Sequence, residues 1–321
     1  MSWSESRRQT AALLERAQPA RGRRARRSFA DSPHVFTVLV GSSMLFLAVF
    51  VGYPIFYNLI MSFQSVSLGN MRYLSRPFIG LGNYTAIFEN PLFREVSYHT
   101  LVFTGFSVLF QCGLGLALAL YFHIDFRGAR WMRGVVLCGW VIPPLVVGAI
   151  FHWLFASNGG FVNQVLRMLH IVSEPVNFLS SLDTAMPVAI LTNVWIGAPF
   201  AMILFAAGRA ELPGELYEAA QLDGANPVQR FLQITWPLMR PTIYAVVSLC
   251  TIYALKTFDV IWGLTSGGPV NQTTTYTIWS YKLSFTQFAF GQGSAISTLM
   301  FVFIIVIALI YSKSLRAEVQ L

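Results

Sequence analysis

Six stretches of the chain are apolar over lengths close to the roughly 20 residues that a helix needs to cross a hydrocarbon core about 30 Å thick. They cover approximately residues 35–63, 101–122, 135–155, 185–208, 242–264 and 295–311. The first is too long for the apolar part of a cleaved signal peptide and no small-residue cleavage pattern follows it, so it reads as an anchor that stays. The pattern predicts an all-α integral membrane protein: six transmembrane helices within residues 34–315, a cytoplasmic tail over 1–33 and a short C-terminal tail over 316–321.

One segment breaks the pattern. Between the fourth and fifth stretches, in a loop over 209–240, the chain reads ELYEAAQLDGANPVQRFLQITWPL from Glu215 to Leu238, with acids at Glu211, Glu215, Glu218 and Asp223. Pro213 suits the start of a short helix whose first turns hold acids, which favours the helix dipole. Gly224 is where that helix would stop. Asn226 as N-cap and Pro227 at the first helical position begin a second helix. Along it Val228, Phe231, Leu232 and Thr235 share a face, and Pro237 and Pro241 break it before the next crossing. The segment is predicted to be a helix, a turn and a helix lying against the membrane. An amphipathic connector resting on lipid headgroups would carry Lys and Arg on its polar face, whereas this one is acidic. A short rigid helix instead suits a groove on a partner protein.

Composition agrees with the membrane reading: 55% of residues are hydrophobic and 11% charged, and mean hydropathy is +0.57, beyond the usual range of soluble domains. Charge sets the orientation, because cytoplasmic loops hold the excess of Lys and Arg. With both termini cytoplasmic, that side holds the tail with its RGRRARR run (Arg21 to Arg27), Arg127, Arg130, Arg133, Arg209, Arg230, Arg240, Lys313 and Arg316. The opposite side holds Arg72, Arg76, Arg94, Arg167 and Lys282. The acidic segment is therefore placed in the cytoplasm, and the basic tail reads as a topology signal touching anionic lipid rather than nucleic acid. Cys112, Cys138 and Cys250 fall in apolar runs, and the histidines are scattered without ligand spacing, so no disulfide or metal site is implied. No GxxxxGK[ST] loop is present, so no nucleotide hydrolysis is expected of this chain.

Polar and ionisable groups inside the bilayer cost about 2.5–3.5 kcal/mol for a charge at a helix centre, so they usually face an interior cavity. Lys256 and Asp259, spaced i, i+3 in the fifth stretch, are expected to share a helix face. Tyr253 and Thr257 share a neighbouring one. In the fourth stretch Asn193 and Gly197 are four apart, with Phe200 a turn further and Trp195 off that line. Hydrogen-bonding groups beside aromatic faces suit a polyol or sugar, whose C–H faces stack on rings.

Glu218-Ala219-Ala220, Asp223-Gly224-Ala225, Ile234 and Pro237 match the EAA motif of the membrane subunits of bacterial ATP-binding-cassette importers. FIGLGNY (Phe78 to Tyr84), TNVWIGAPF (Thr192 to Phe200) and FDVIWGLTSGGPVNQTTT (Phe258 to Thr275) extend the likeness over residues 36–315. The chain resembles the permeases of binding-protein-dependent sugar importers. His99 stands where the family often has Asn. The resemblance implies a type I importer permease fold in the bacterial inner membrane, with a coupling helix between the fourth and fifth crossings. It implies a second permease chain as heterodimer partner, two ATPase subunits that use ATP and Mg, and an external solute-binding protein. This chain itself would bind no cofactor and catalyse nothing. Coupling to the ATPase would fall to Glu215, Tyr217, Glu218, Ala219, Ala220, Asp223, Gly224, Ala225 and Pro237, with Glu218 facing a basic group. Aligned through Gly267 to Pro269, the likeness adds Cys250 and Ala254 to Tyr253, Thr257 and Asp259 on the cavity face. A sugar or oligosaccharide is the expected solute; glycerol 3-phosphate or a polyamine is the alternative cargo, and a membrane scaffold or sensor the alternative of another class.

Overall fold

The computed structural model of the protein describes residues 33–319 except 74 and 125. The Arg-rich tail, but for Pro33, lies outside the described residues. The chain divides into two units, residues 1–57 and 58–321. In the first, helix α1 (Pro33–Leu47) passes through a π-helical turn at Ala48–Gly52 into α2 (Tyr53–Ser62), whose last residues belong to the second unit. The stretch Thr37–Ser62 is long and apolar enough to cross a membrane.

The second unit is also helical; among the described residues β-structure is confined to an isolated bridge between Gln64 and Phe78. After a short helix α3 (Gly82–Glu89) comes α4 (Leu92–Tyr121). Its buried positions, Val96, Thr100, Phe103, Ser107, Gln111, Gly115 and Ala119, recur every three or four residues along one face. Many of these are polar, while Leu101, Phe106, Leu109, Phe110 and Leu114 are exposed. This is the inside-out form of an amphipathic helix. In hydrocarbon a polar side chain has no water to bond, so the polar stripe must turn toward protein.

The stripe packs on α8 (Ala185–Ala210), the most buried of the long helices. The contact is close because it is made of small residues, as helix pairs in lipid favour. A Cβ placed on Gly115 would lie 2.6 Å from the Ala201 Cβ and 3.0 Å from the Met202 nitrogen. Around this contact a core forms from Ala119, Phe122, Ala201, Met202, Phe205, Met239 and Val246.

Among the described residues four helices are long and apolar enough to cross a membrane, and two bent pairs raise the number to six if each is one span. The stretches at 101–122 and 295–311 belong to longer helices, Leu92–Tyr121 and α15 (Phe290–Val319). Two of the expected continuous crossings are interrupted. The third is split into α5 (Ala129–Val141) and α6 (Pro144–Leu154), bent by 99°. Ile142 precedes two prolines and takes an extended conformation, φ −69° and ψ 133°. The proline ring bars the residue before it from the helical region, and Pro143 lacks the N–H that would continue the helix.

The fifth stretch, expected over 242–264, is α12 (Arg240–Leu255) followed by α13 (Asp259–Leu264), with Lys256, Thr257 and Phe258 between them. Lys256 and Asp259 are therefore not three apart on one helix face, as expected, but stand at either side of a break. Lys256 caps the C-terminus of α12 and Asp259 opens α13. Each charge complements the helix end it occupies, which stabilises the interruption. The α13 turn is held against α6 by His152, whose Nδ1 lies 2.6 Å from the Leu264 carbonyl oxygen.

Gly115→Leu forces a branched side chain into the α4/α8 contact, and overpacking of this kind costs about 1–3 kcal/mol. A lower midpoint of thermal unfolding in detergent is the expected outcome; an unchanged midpoint would contradict the contact.

Candidate translocation cavity and coupling segment

All nine residues proposed for a solute site line one cavity of about 370 Å³. Its walls come from α4, α8, the α12 end and the backbone break that follows, with Trp140 and Pro144 contributed by the α5/α6 bend. Irregular backbone at membrane depth is tolerated where it lines a cavity, and both breaks meet here.

On α8, Asn193 is 6% exposed and its backbone carbonyl accepts a hydrogen bond from Gln111 Nε2 at 3.0 Å. The Asn193 side-chain Nδ2 is buried with no hydrogen-bond partner among the described residues. An unpaired buried amide costs about 1–3 kcal/mol, so this part of the wall holds a donor that the packing leaves unsatisfied. Gly197, one turn along, leaves room for Gln111: a Cβ built there runs into the Gln111 carboxamide. Phe200 meets Tyr253 edge-on with ring centroids 5.4 Å apart, and Trp140 tilts against Phe200 at 5.7 Å. Trp195, off the line of the other three, packs instead on Phe151.

On α12, Cys250 and Ala254 are buried and Tyr253 is about half exposed. The Lys256 ammonium sits 4.7 Å from the centre of the Tyr253 ring, a cation–π contact in place of the expected partnership with Asp259. Thr257 donates from Oγ1 to the Tyr253 carbonyl at 3.0 Å, and its own carbonyl accepts from Thr277 Oγ1 at 2.8 Å. The arrangement presents aromatic faces, an amide donor, hydroxyls and one charge of each sign.

Gln111 and Trp140 were not singled out in the sequence. A lone Gln in an otherwise apolar crossing was a legible signal, by the same argument applied to Asn193. Trp140 becomes a wall residue because of the bend two residues later, which the Ile-Pro-Pro run announces.

The loop between α8 and α12 forms the helix, turn and helix that its sequence predicts. Helix α9 (Gly214–Leu222) has Glu215 in its first turn and no buried residue. Glu215, Glu218, Ala219 and Asp223 are exposed, as is Leu222 at 90%. Gly224, at φ 78°, makes the turn that ends it. Helix α10 (Pro227–Arg230) begins with a capping box: the Gln229 N–H donates to Asn226 Oδ1 at 2.9 Å and the Asn226 N–H to Gln229 Oε1 at 2.8 Å. A π-helical turn, Phe231–Thr235, carries the chain into α11 (Trp236–Leu238), which contains Pro237, and a 70° bend separates this run from α12. Of the face expected on the second helix, Thr235 is buried, but Val228 and Leu232 are 65% and 57% exposed. The π-turn rotates the face out of strict helical register. Tyr217, placed among the docking residues, is half-buried and turned inward: its ring lies 4.1 Å from the Arg209 guanidinium and its hydroxyl 3.0 Å from Thr235 Oγ1.

Residues 111–317 match the family described as binding-protein-dependent transport system inner membrane component. The chain is 34% identical over 281 residues to the sulfoquinovosyl glycerol transport system permease protein SmoG of Agrobacterium fabrum, covering 88% of this chain and 90% of that one. It is also 34% identical over 238 residues to the trehalose/maltose transport system permease protein MalF of Thermococcus litoralis, covering 74% and 80%. Its fold is like that of a chain in the crystal structure of a bacterial ABC transporter involved in import of the acidic polysaccharide alginate, with a TM-score of 0.77 at 22% identity, covering 88% of this chain and 96% of that one. The protein thus belongs to the inner membrane components of binding-protein-dependent transport systems, as a multi-pass permease subunit.

Proposed function

We propose that this permease carries a sugar or oligosaccharide, that the cavity walled by α8 and α12 is where the solute passes, and that α9 couples it to an ATPase. The observation that carries the reading is the Asn193 amide, buried and unpartnered beside the Phe200 and Tyr253 rings. Sugar hydroxyls supply the missing acceptor while C–H faces lie on the rings. The cavity lining has Lys256 and Asp259 as its charged side chains. With one of each sign there is no excess charge to neutralise a phosphate ester or a polyamine, which favours an uncharged polyhydroxylated solute over those alternatives. Relatives named for trehalose and maltose transport support the same class.

In this reading the chain forms half of the path, paired with a second permease. Two ATPase subunits, which bind ATP and Mg, dock on the exposed face of α9 through Glu215, Glu218, Ala219, Ala220 and Asp223. An external binding protein delivers the solute. The excess of Lys and Arg supports a cytoplasmic side of the bacterial inner membrane for both termini and α9. Solute and nucleotide bias the inward-open and outward-open states only through their different affinities for the two. The chain holds the solute and moves; bond-breaking chemistry is left to the motor.

Asn193→Ala and Tyr253→Ala are each expected to lower solute uptake by reconstituted transporter without loss of the assembled complex. Unaltered uptake kinetics in both would remove this cavity from the path. Glu218→Lys sets a cation against the basic surface proposed on the ATPase. The variant is expected to insert normally and to lose solute-driven ATP hydrolysis; uptake at the unmodified rate would refute the docking assignment.

A further inference from the structure

We infer that Tyr217 is a positioning residue that ties the docking helix to both walls of the cavity at once, rather than a residue that meets the ATPase. This rests on the reading of α9 as the docking element. Helix α9 buries none of its residues, so it has no apolar seat of its own through which a push could be passed on. Its Tyr217 ring stacks under the guanidinium of Arg209, in the last turn of α8. The Tyr217 hydroxyl meets Thr235 Oγ1 at 3.0 Å, and Thr235 is 4% exposed at the end of the π-turn leading toward α12. Thr235 Oγ1 also lies 3.5 Å from the Arg230 carbonyl oxygen, which can only accept. Either hydroxyl can donate in the bond between Tyr217 and Thr235.

One phenol thus makes two directional contacts, one with the helix that carries Asn193 and Phe200, the other with the segment that continues into the helix carrying Cys250 and Tyr253. Displacement of α9 is passed to both cavity walls through the same side chain. Residues 211–213 and 223–226 connect α9 covalently to the body. The EAA spacing alone assigns Tyr217 to the docking surface; its burial and partners assign it to the opposite face.

The test uses the complete transporter in proteoliposomes, with its ATPase subunits and binding protein, reading solute moved per ATP hydrolysed. Tyr217→Phe keeps the ring on Arg209 and removes only the hydroxyl; Thr235→Val removes the same bond from the buried side. Each is expected to lower the transport-to-hydrolysis ratio about threefold, and the double variant no further, because both delete one interaction. ATPase subunits are expected to co-purify with Thr235→Val as with the unmodified protein. Full transport stoichiometry in both single variants, or additive losses in the double, would overturn the inference. Loss of bound ATPase in Tyr217→Phe alone would also overturn it, by placing Tyr217 on the docking face. None of these results touches the docking reading itself, which falls only if Glu218→Lys transports normally.

Discussion

A polar group in hydrocarbon has no water to turn to, and each one left unsatisfied costs several kcal/mol. That constraint decides which way the helices of the second unit face. It turns the Thr100, Ser107 and Gln111 stripe of α4 toward protein and leaves leucines and phenylalanines outward. It also gathers the interrupted backbone at Ile142–Pro143 and Lys256–Phe258 around a single cavity whose largely apolar wall holds a few polar groups. The breaks are not defects of otherwise regular crossings. Where a helix stops inside a membrane its terminal groups need partners, and a cavity that admits a hydrated or hydroxylated solute supplies them.

Small residues and charges share the work at these places. Gly197 lets Gln111 reach the Asn193 carbonyl, which fixes the α4 amide beside the cavity that all three residues line. Lys256 ends α12 over the Tyr253 ring, and Asp259 starts α13. The charges that are costly elsewhere in a span are here matched to helix ends, so the site carries polarity without a net charge.

The number of apolar stretches, the helix-turn-helix of residues 214–238 and the cap at Asn226 were legible because each is written locally, in run length, in a turn glycine and in a capping box. The residues lining the cavity on α8 were legible from spacing, since Asn193, Gly197 and Phe200 fall on one helical face whatever packs against it. Lys256 and Asp259 misled because spacing i, i+3 implies one face only if the helix is continuous, and nothing in that arithmetic contains the break at Thr257. Gln111 was legible as a polar group in an apolar crossing, but its part depends on a partner 82 positions away in the chain, which that signal does not contain. Tyr217 belonged to a recognisable motif, but the direction it points is set by Arg209 and Thr235, which the motif does not include.

In the proposed mechanism the acidic helix α9 lies beneath the bilayer, docks on a separate ATPase and, moved by it, opens and closes the cavity. Labelling of Leu222→Cys, in an otherwise cysteine-free chain, by a membrane-impermeant maleimide reads both the side of the membrane and the docking at once. The account predicts no labelling in intact cells, rapid labelling in opened membranes stripped of ATPase subunits, and protection when those subunits are restored. Labelling from outside intact cells, or equal labelling with and without the ATPase, would contradict it.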